Sequence, residues 1–147
     1  MDLILWRHAD AEEGADDMAR RLTAKGERQA AAMAKWLRTH LPVQYTLLAS
    51  PAVRAQQTAA ALGVKIHTEK MLAPGATPAA IAALAAKHAG LVIVVGHQPD
   101  LGRAAAQLVA RADADWHIEK GAIWWLAGKE PARIKAVLSP DLLEVRP

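Results

Sequence analysis

The alternation of short apolar strands with capped helices predicts a three-layer α/β fold, a mostly parallel sheet flanked by helices with an antiparallel edge. Three observations carry this expectation. Apolar runs at 2–7, 45–50 and 91–95 are each followed by a helical pattern. The run LVIVV is continuous and β-branched, as a central strand covered on both faces requires. Two late segments, AIWWLA and ARIKAVL, joined through GKE as a hairpin-like turn, place antiparallel neighbours at one edge.

Each element has a local reason. Residues 2–7 read as the first strand, and LTAKGERQAAAMAKWLRTH as a helix whose N-cap is Thr23. YTLLAS (45–50) is the second apolar strand. SPAVRAQQTAAAL then offers Ser50 as N-cap and Pro51 at the first helical position. VKIH reads as a short strand and MLAPGA as a loop. TPAAIAALAAKHAG repeats the Thr-cap and Pro-start device and stops at Gly90. After LVIVV (91–95), QPDLGRAAAQLVAR is a further helix. Trp6 and Trp36 fit core positions, whereas Trp124 and Trp125 point to opposite faces of their strand, so at most one is core. His40, His67, His88 and His117 fall at helix ends or in loops and read as surface residues.

Composition narrows the function classes. The 147 residues suit one domain, 1–147, with one substantial core. There is no cysteine, so disulfides and thiolate chemistry are excluded. The start lacks a signal-peptide pattern, and no apolar run reaches the roughly 18 residues of a membrane span. A soluble, cytoplasmic protein without a membrane partner is expected. The net charge of +3 comes from scattered cations with no basic cluster, which suits an anionic substrate better than nucleic acid.

Ligands of open α/β sheets bind beyond the carboxyl ends of the strands, and three such ends here carry conspicuous polar residues. Arg7 and His8 follow LILW, Ser50 and Pro51 follow TLLA with Arg54 one turn on, and Gly96 and His97 follow LVIVV. Taken singly, each has a plain reading as a turn or surface residue. Together they bring two arginines and two histidines to one rim near two helix N-termini, which is a site for a phosphoryl group. No acidic cluster with metal-ligand spacing accompanies them, so neither a metal nor another cofactor is expected.

The motifs RHAD, LTAKGERQA, SPAVRAQQTA and VVGHQPDLG, in this order between residue 3 and about residue 103, resemble the histidine phosphatase superfamily and its phosphoglycerate-mutase-like fold. The small size, RHAD and GHQPDLG are most similar to the SixA-type phosphohistidine phosphatases. The resemblance implies that His8 is the nucleophile and that Arg7, Arg54 and His97 hold the phosphoryl oxygens. Two departures qualify the match. Ala9 stands where many members have glycine, and Met71-Leu72-Ala73 occupies a stretch where many carry a glutamate acid, leaving Glu69 as the nearest carboxylate. Asp10 is the next candidate for proton transfer, or else a turn cap. Arg20 or Arg21 reaches back toward the phosphate from ADAEEGADDMARR, otherwise a solvated connection. Gly26 and Gln29 match the family helix and are read as shaping and packing it.

The absent acid favours a phosphoramidate over an ester, because an imidazole leaving group departs with less protonation than an alkoxide. Short connections leave the site uncovered, which suits a phosphohistidine-bearing protein. The expected activity is a metal-independent phosphohydrolase with a phosphohistidine intermediate, acting in phosphorelay or phosphotransfer signalling. The alternatives are a phosphatase of small phosphate esters and a non-catalytic phosphate- or protein-binding module.

Overall fold

A computed structural model describes residues 1–144. Its centre is one six-stranded sheet: β1 (Asp2–Arg7), β2 (Tyr45–Ala49), β3 (His67–Thr68), β4 (Leu91–Gly96), β5 (Ile123–Ala127) and β6 (Arg133–Leu138). The spatial order is β3-β2-β4-β1-β5-β6. Strands β3, β2, β4 and β1 run parallel, while β5 and β6 are antiparallel additions at one edge. The four helices are α1 (Ala24–His40), α2 (Val53–Ala60), α3 (Pro78–Ala86) and α4 (Asp100–Ala110).

Side-chain alternation along the strands explains the three layers. Leu3 and Leu5 of β1 join Val92 and Val94 of β4 on one face, where Ile81 and Leu84 of α3 and Leu101 and Leu108 of α4 cover them. Ile4, Trp6, Ile93 and Val95 point the other way, onto Met33, Ala34 and Leu37 of α1 and Ala55 and Ala59 of α2. Strand β4 is buried at every residue, as a strand with neighbours on both sides and helices on both faces should be. At the far edge, Arg133 and Lys135 of β6 are exposed and blunt the free backbone.

Several boundaries differ from the sequence expectation. Helix α2 starts at Val53, not at Pro51, and its N-cap position is Ala52. Ser50 takes the Ala52 amide and no later helix amide, because its hydroxyl oxygen is shared with His97 Nε2. The short strand expected over VKIH falls instead at His67–Thr68, where pairing with Leu48 and Ala49 is available. The loop MLAPGA begins inside a 3₁₀ turn, Lys70–Leu72, that buries Leu72. Helix α3 ends at Ala86, ahead of Gly90, which takes a left-handed φ of 76°. Trp36 is half-buried rather than core: it stacks on His40 and meets Trp125 edge-on. Of the paired tryptophans, Trp125 is in the core, and Trp124 lies on the opposite face against Trp116.

The start of α1 braces the segment after β1. Thr23 caps the helix by accepting from the Gly26 amide, and its hydroxyl donates to the Asp10 carboxylate. Gln29 accepts from the Asp10 amide through Oε1. The Asp10 carbonyl passes so close to Gly26 that a Cβ there would overlap it. Replacing Gly26 by alanine is therefore expected to lower unfolding stability by about 1–3 kcal/mol through overpacking, read as a reduced urea midpoint. An unchanged midpoint would show that the Asp10 turn yields freely.

Candidate active site

The carboxyl ends of β1, β4 and β2 are adjacent in the sheet, and the ladder continues past them. The His8 amide donates to the Gly96 carbonyl at 3.0 Å, and the Ser50 amide to the Val95 carbonyl at 3.0 Å. Backbone pairing thus fixes the residues that follow each strand. A pocket of about 330 Å³ opens at this rim, with Arg7, His8, Arg54 and His97 among its lining residues.

His8 and His97 lie with ring centroids 5.3 Å apart, and Arg54 sits between them. Arg54 directs Nε to His8 Nε2 at 3.4 Å and Nη2 to His97 Nδ1 at 3.3 Å. His8 Nδ1 is 2.7 Å from the Ala9 carbonyl. A carbonyl only accepts, so Nδ1 carries the proton and Nε2 presents its lone pair toward Arg54. Burial, with further help from Arg54, Arg7 and Arg20, lowers the His8 pKa to about 4. His97 is lowered to about 3, first by burial and then by its proximity to His8 and Arg54. Both rings are neutral at pH 7. His8 therefore offers an unprotonated nitrogen at the pocket, the state a nucleophilic imidazole needs.

Arg7 donates through Nη1 to the Ile118 carbonyl at 2.8 Å. Its Nε is buried without a hydrogen-bond partner, a donor that an anion in this pocket would satisfy. Ala9 is fully buried, and its amide donates to Thr58 Oγ1 at 3.0 Å, so this backbone approach accommodates the extra methyl.

The remaining candidates separate. Arg20 lines the pocket, donating to the Glu12 carbonyl at 2.7 Å and pairing with Asp17 at 3.1 Å, whereas Arg21 does not line it. Asp10 also stays outside. Its carboxylate takes the Thr23 hydroxyl at 2.8 Å and Lys120 at 3.0 Å, and these hydrogen bonds hold its pKa below the usual carboxylate range. It is bound as a turn cap.

The segment after Asp10 is more than a solvated connection. An Ala11–Leu22 bridge closes it, and its 3₁₀ turn, Asp17–Ala19, brings Asp17 onto Arg54. Arg54 Nη1 donates to the Asp17 carbonyl at 2.6 Å and Nη2 to its carboxylate at 3.1 Å. Among the described residues, Asp17 is the carboxylate in the pocket lining, and hydrogen bonds from Arg20 and Arg54 depress its pKa. That depression works against a role as proton donor. No motif marks Asp17; the signal available was an acidic run that needed a cationic partner. Lys120 and Pro74 complete the rim, and Pro74 is steadied by Asp100, whose carboxylate accepts from the Gly75 and Ala76 amides at 2.9 and 3.1 Å.

A neutral histidine with its free nitrogen beside two arginines, at the carboxyl rim of a parallel sheet, is an arrangement suited to hold a phosphoryl group. Residues 3–74 match the family described as the histidine phosphatase superfamily (branch 1), and the chain belongs to that superfamily. It is 30% identical over 129 residues to the phosphohistidine phosphatase SixA homolog of Haemophilus influenzae, covering 76% of this chain and 79% of that protein. It is 30% identical over 119 residues to phosphohistidine phosphatase SixA of Escherichia coli, covering 74% of each. The solved structure of the protein histidine phosphatase SixA complexed with tungstate superposes with a TM-score of 0.84 at 26% identity, covering 98% of this chain and all of that one. The fold is thus phosphoglycerate-mutase-like, and the family and its relatives support a phosphatase.

Proposed function

We propose that this protein is a metal-independent phosphohistidine phosphatase in which His8 receives the phosphoryl group and passes it to water. The observation that carries the reading is the His8 ring itself. Its proton is held on Nδ1 by the Ala9 carbonyl, and Nε2 is free beside Arg54 in a pocket shared with Arg7 and His97. Attack by Nε2 on phosphorus forms the N–P bond as the leaving nitrogen takes the breaking pair. Water then attacks the phosphohistidine and His8 Nε2 recovers its lone pair. Arg7 and Arg54 oppose the charge on the phosphoryl oxygens, so catalysis is mainly positioning and electrostatics.

The leaving group decides the substrate class. Among the described residues the pocket carries no carboxylate suited to donating a proton, because Asp17 is held ionised by two arginines. An imidazole leaves with little protonation, whereas an alkoxide needs it. A histidine-phosphorylated protein of a phosphorelay or phosphotransfer chain fits that limit. Its presentation of one side chain also fits a mouth bounded by the Asp17 turn, Pro74 and Lys120.

The test is phosphate release from a phosphohistidine-bearing protein domain, compared with p-nitrophenyl phosphate and phosphoserine, all with chelator present. A kcat/KM at least tenfold higher on the phosphohistidine domain is expected. Faster turnover of either ester would overturn the substrate assignment, and loss of all activity in chelator would overturn metal independence.

A further inference from the structure

Ser50 holds the back of the site. It is fully buried at the end of β2, with its hydroxyl oxygen 2.7 Å from His97 Nε2 and accepting from the Ala52 amide at 3.2 Å. The other ring nitrogen of His97, Nδ1, faces Arg54 Nη2 at 3.3 Å. A guanidinium has donors only, so Nδ1 must be the accepting nitrogen. The single proton of the neutral ring is then on Nε2 and is donated to Ser50. Both lone pairs of the Ser50 oxygen are occupied, one by His97 and one by Ala52. His97 therefore meets the pocket with a lone pair, not with an N–H.

A lone pair repels a bare phosphoryl oxygen and attracts a hydroxyl. We propose that Ser50 is a positioning residue that fixes the tautomer of His97, so that Nδ1 takes the proton of a singly protonated phosphoryl group as it binds. The O–H bond to the phosphoryl oxygen breaks, an N–H bond forms at Nδ1, and the oxygen keeps the electron pair. The group is left as a dianion facing an imidazolium, and Arg54 Nη2, which gives up its acceptor at Nδ1, donates to a phosphoryl oxygen instead. Ser50 continues to accept from Nε2–H throughout, which is the state that makes the cation tenable in a buried place. This role deepens the phosphatase reading and rests on it only for the turnover measurement.

The role separates from plain packing in the ¹⁵N spectrum of the full chain labelled at histidine. His97 is expected to show an unprotonated Nδ1 and a protonated Nε2, and titration with inorganic phosphate should move Nδ1 to the protonated type. In Ser50→Ala the Nε2 proton has no acceptor. The fixed tautomer and the phosphate-linked shift should both disappear, and kcat on the phosphohistidine domain should fall about ten- to hundredfold with KM within about threefold. Ser50→Thr, which keeps the hydroxyl, should retain the wild-type spectrum and most of the turnover, and it guards against a folding defect. Ser50→Ala with a wild-type His97 spectrum overturns the proposal whatever its kcat, and so does a changed spectrum with undiminished kcat. If wild type releases no phosphate from the phosphohistidine domain while the spectra behave as expected, the substrate assignment fails alone.

Discussion

Replacing His8 by asparagine is expected to lower phosphate release by at least about a thousandfold while leaving the fold in place. The amide nitrogen of asparagine can still donate to the Ala9 carbonyl, so the local hydrogen bond at Nδ1 has a substitute. What is lost is Nε2, the atom proposed to form the bond to phosphorus. The measurement is single-turnover transfer from a labelled phosphohistidine domain, with the acid-labile phosphoenzyme present in wild type and absent in the variant. A variant that retained labelled enzyme would move the nucleophile elsewhere. The pH behaviour follows with a definite sign. With its pKa at about 4, His8 is neutral through the physiological range, so its contribution to the rate fails only as pH falls through about 4. Stability responds earlier. An unfolded histidine titrates near 6.5, so between there and about 4 the unfolded chain binds more protons and the fold weakens as pH drops. For His8 this amounts to about 2 kcal/mol between pH 7 and pH 5, and His8→Asn should remove that part of the acid sensitivity in urea unfolding.

Arg54→Ala is expected to reduce kcat/KM by about a thousandfold and to weaken binding of inorganic phosphate at least about tenfold. This guanidinium reaches His8, His97 and Asp17 at once, so its removal takes away both an oxyanion donor and the spacer between the two rings. Arg54→Lys restores the charge but not the planar fork. It is expected to recover only part of the loss, remaining at least about tenfold below wild type. If lysine restored full activity, the site would need only a point charge at this position, and the geometric reading of Arg54 would fail. Equal phosphate affinity in Arg54→Ala and wild type would place the anion away from this side chain altogether.

How legible the molecule was in its sequence varies by element. The strands LILW, TLLA and LVIVV were readable because burial on both faces forces unbroken apolar runs. Helix α1 was readable from Thr23 and the spacing of its buried face. The start of α2 was not, because Ser50 has the composition of an N-cap but spends its hydroxyl on His97, 47 residues away. A tertiary partner outbid a local one, and nothing within SPAVR announces that. The four residues at the rim were legible as a set because strand ends in a parallel sheet converge. Asp17 was not, since its importance depends on a chain reversal closed by the Ala11–Leu22 bridge and by Gln57 accepting from the Leu22 amide. Arg20 and Arg21 were indistinguishable as letters. The backbone direction at the bridge alone decides that one turns inward.

The Asp17 carboxylate on Arg54 has a consequence for how the site admits its ligand. An anion arriving at Arg54 enters by exchange, displacing a tethered competitor whose effective concentration is set by the loop that carries it. Because the Asp17 side chain is 55% exposed, the displaced carboxylate regains water, and the contact it gives up is worth no more than about 1 kcal/mol. That is a low threshold for a phosphoryl anion able to engage two arginines together. It is a discriminating one for chloride or a stray carboxylate, which would replace Asp17 with nothing better.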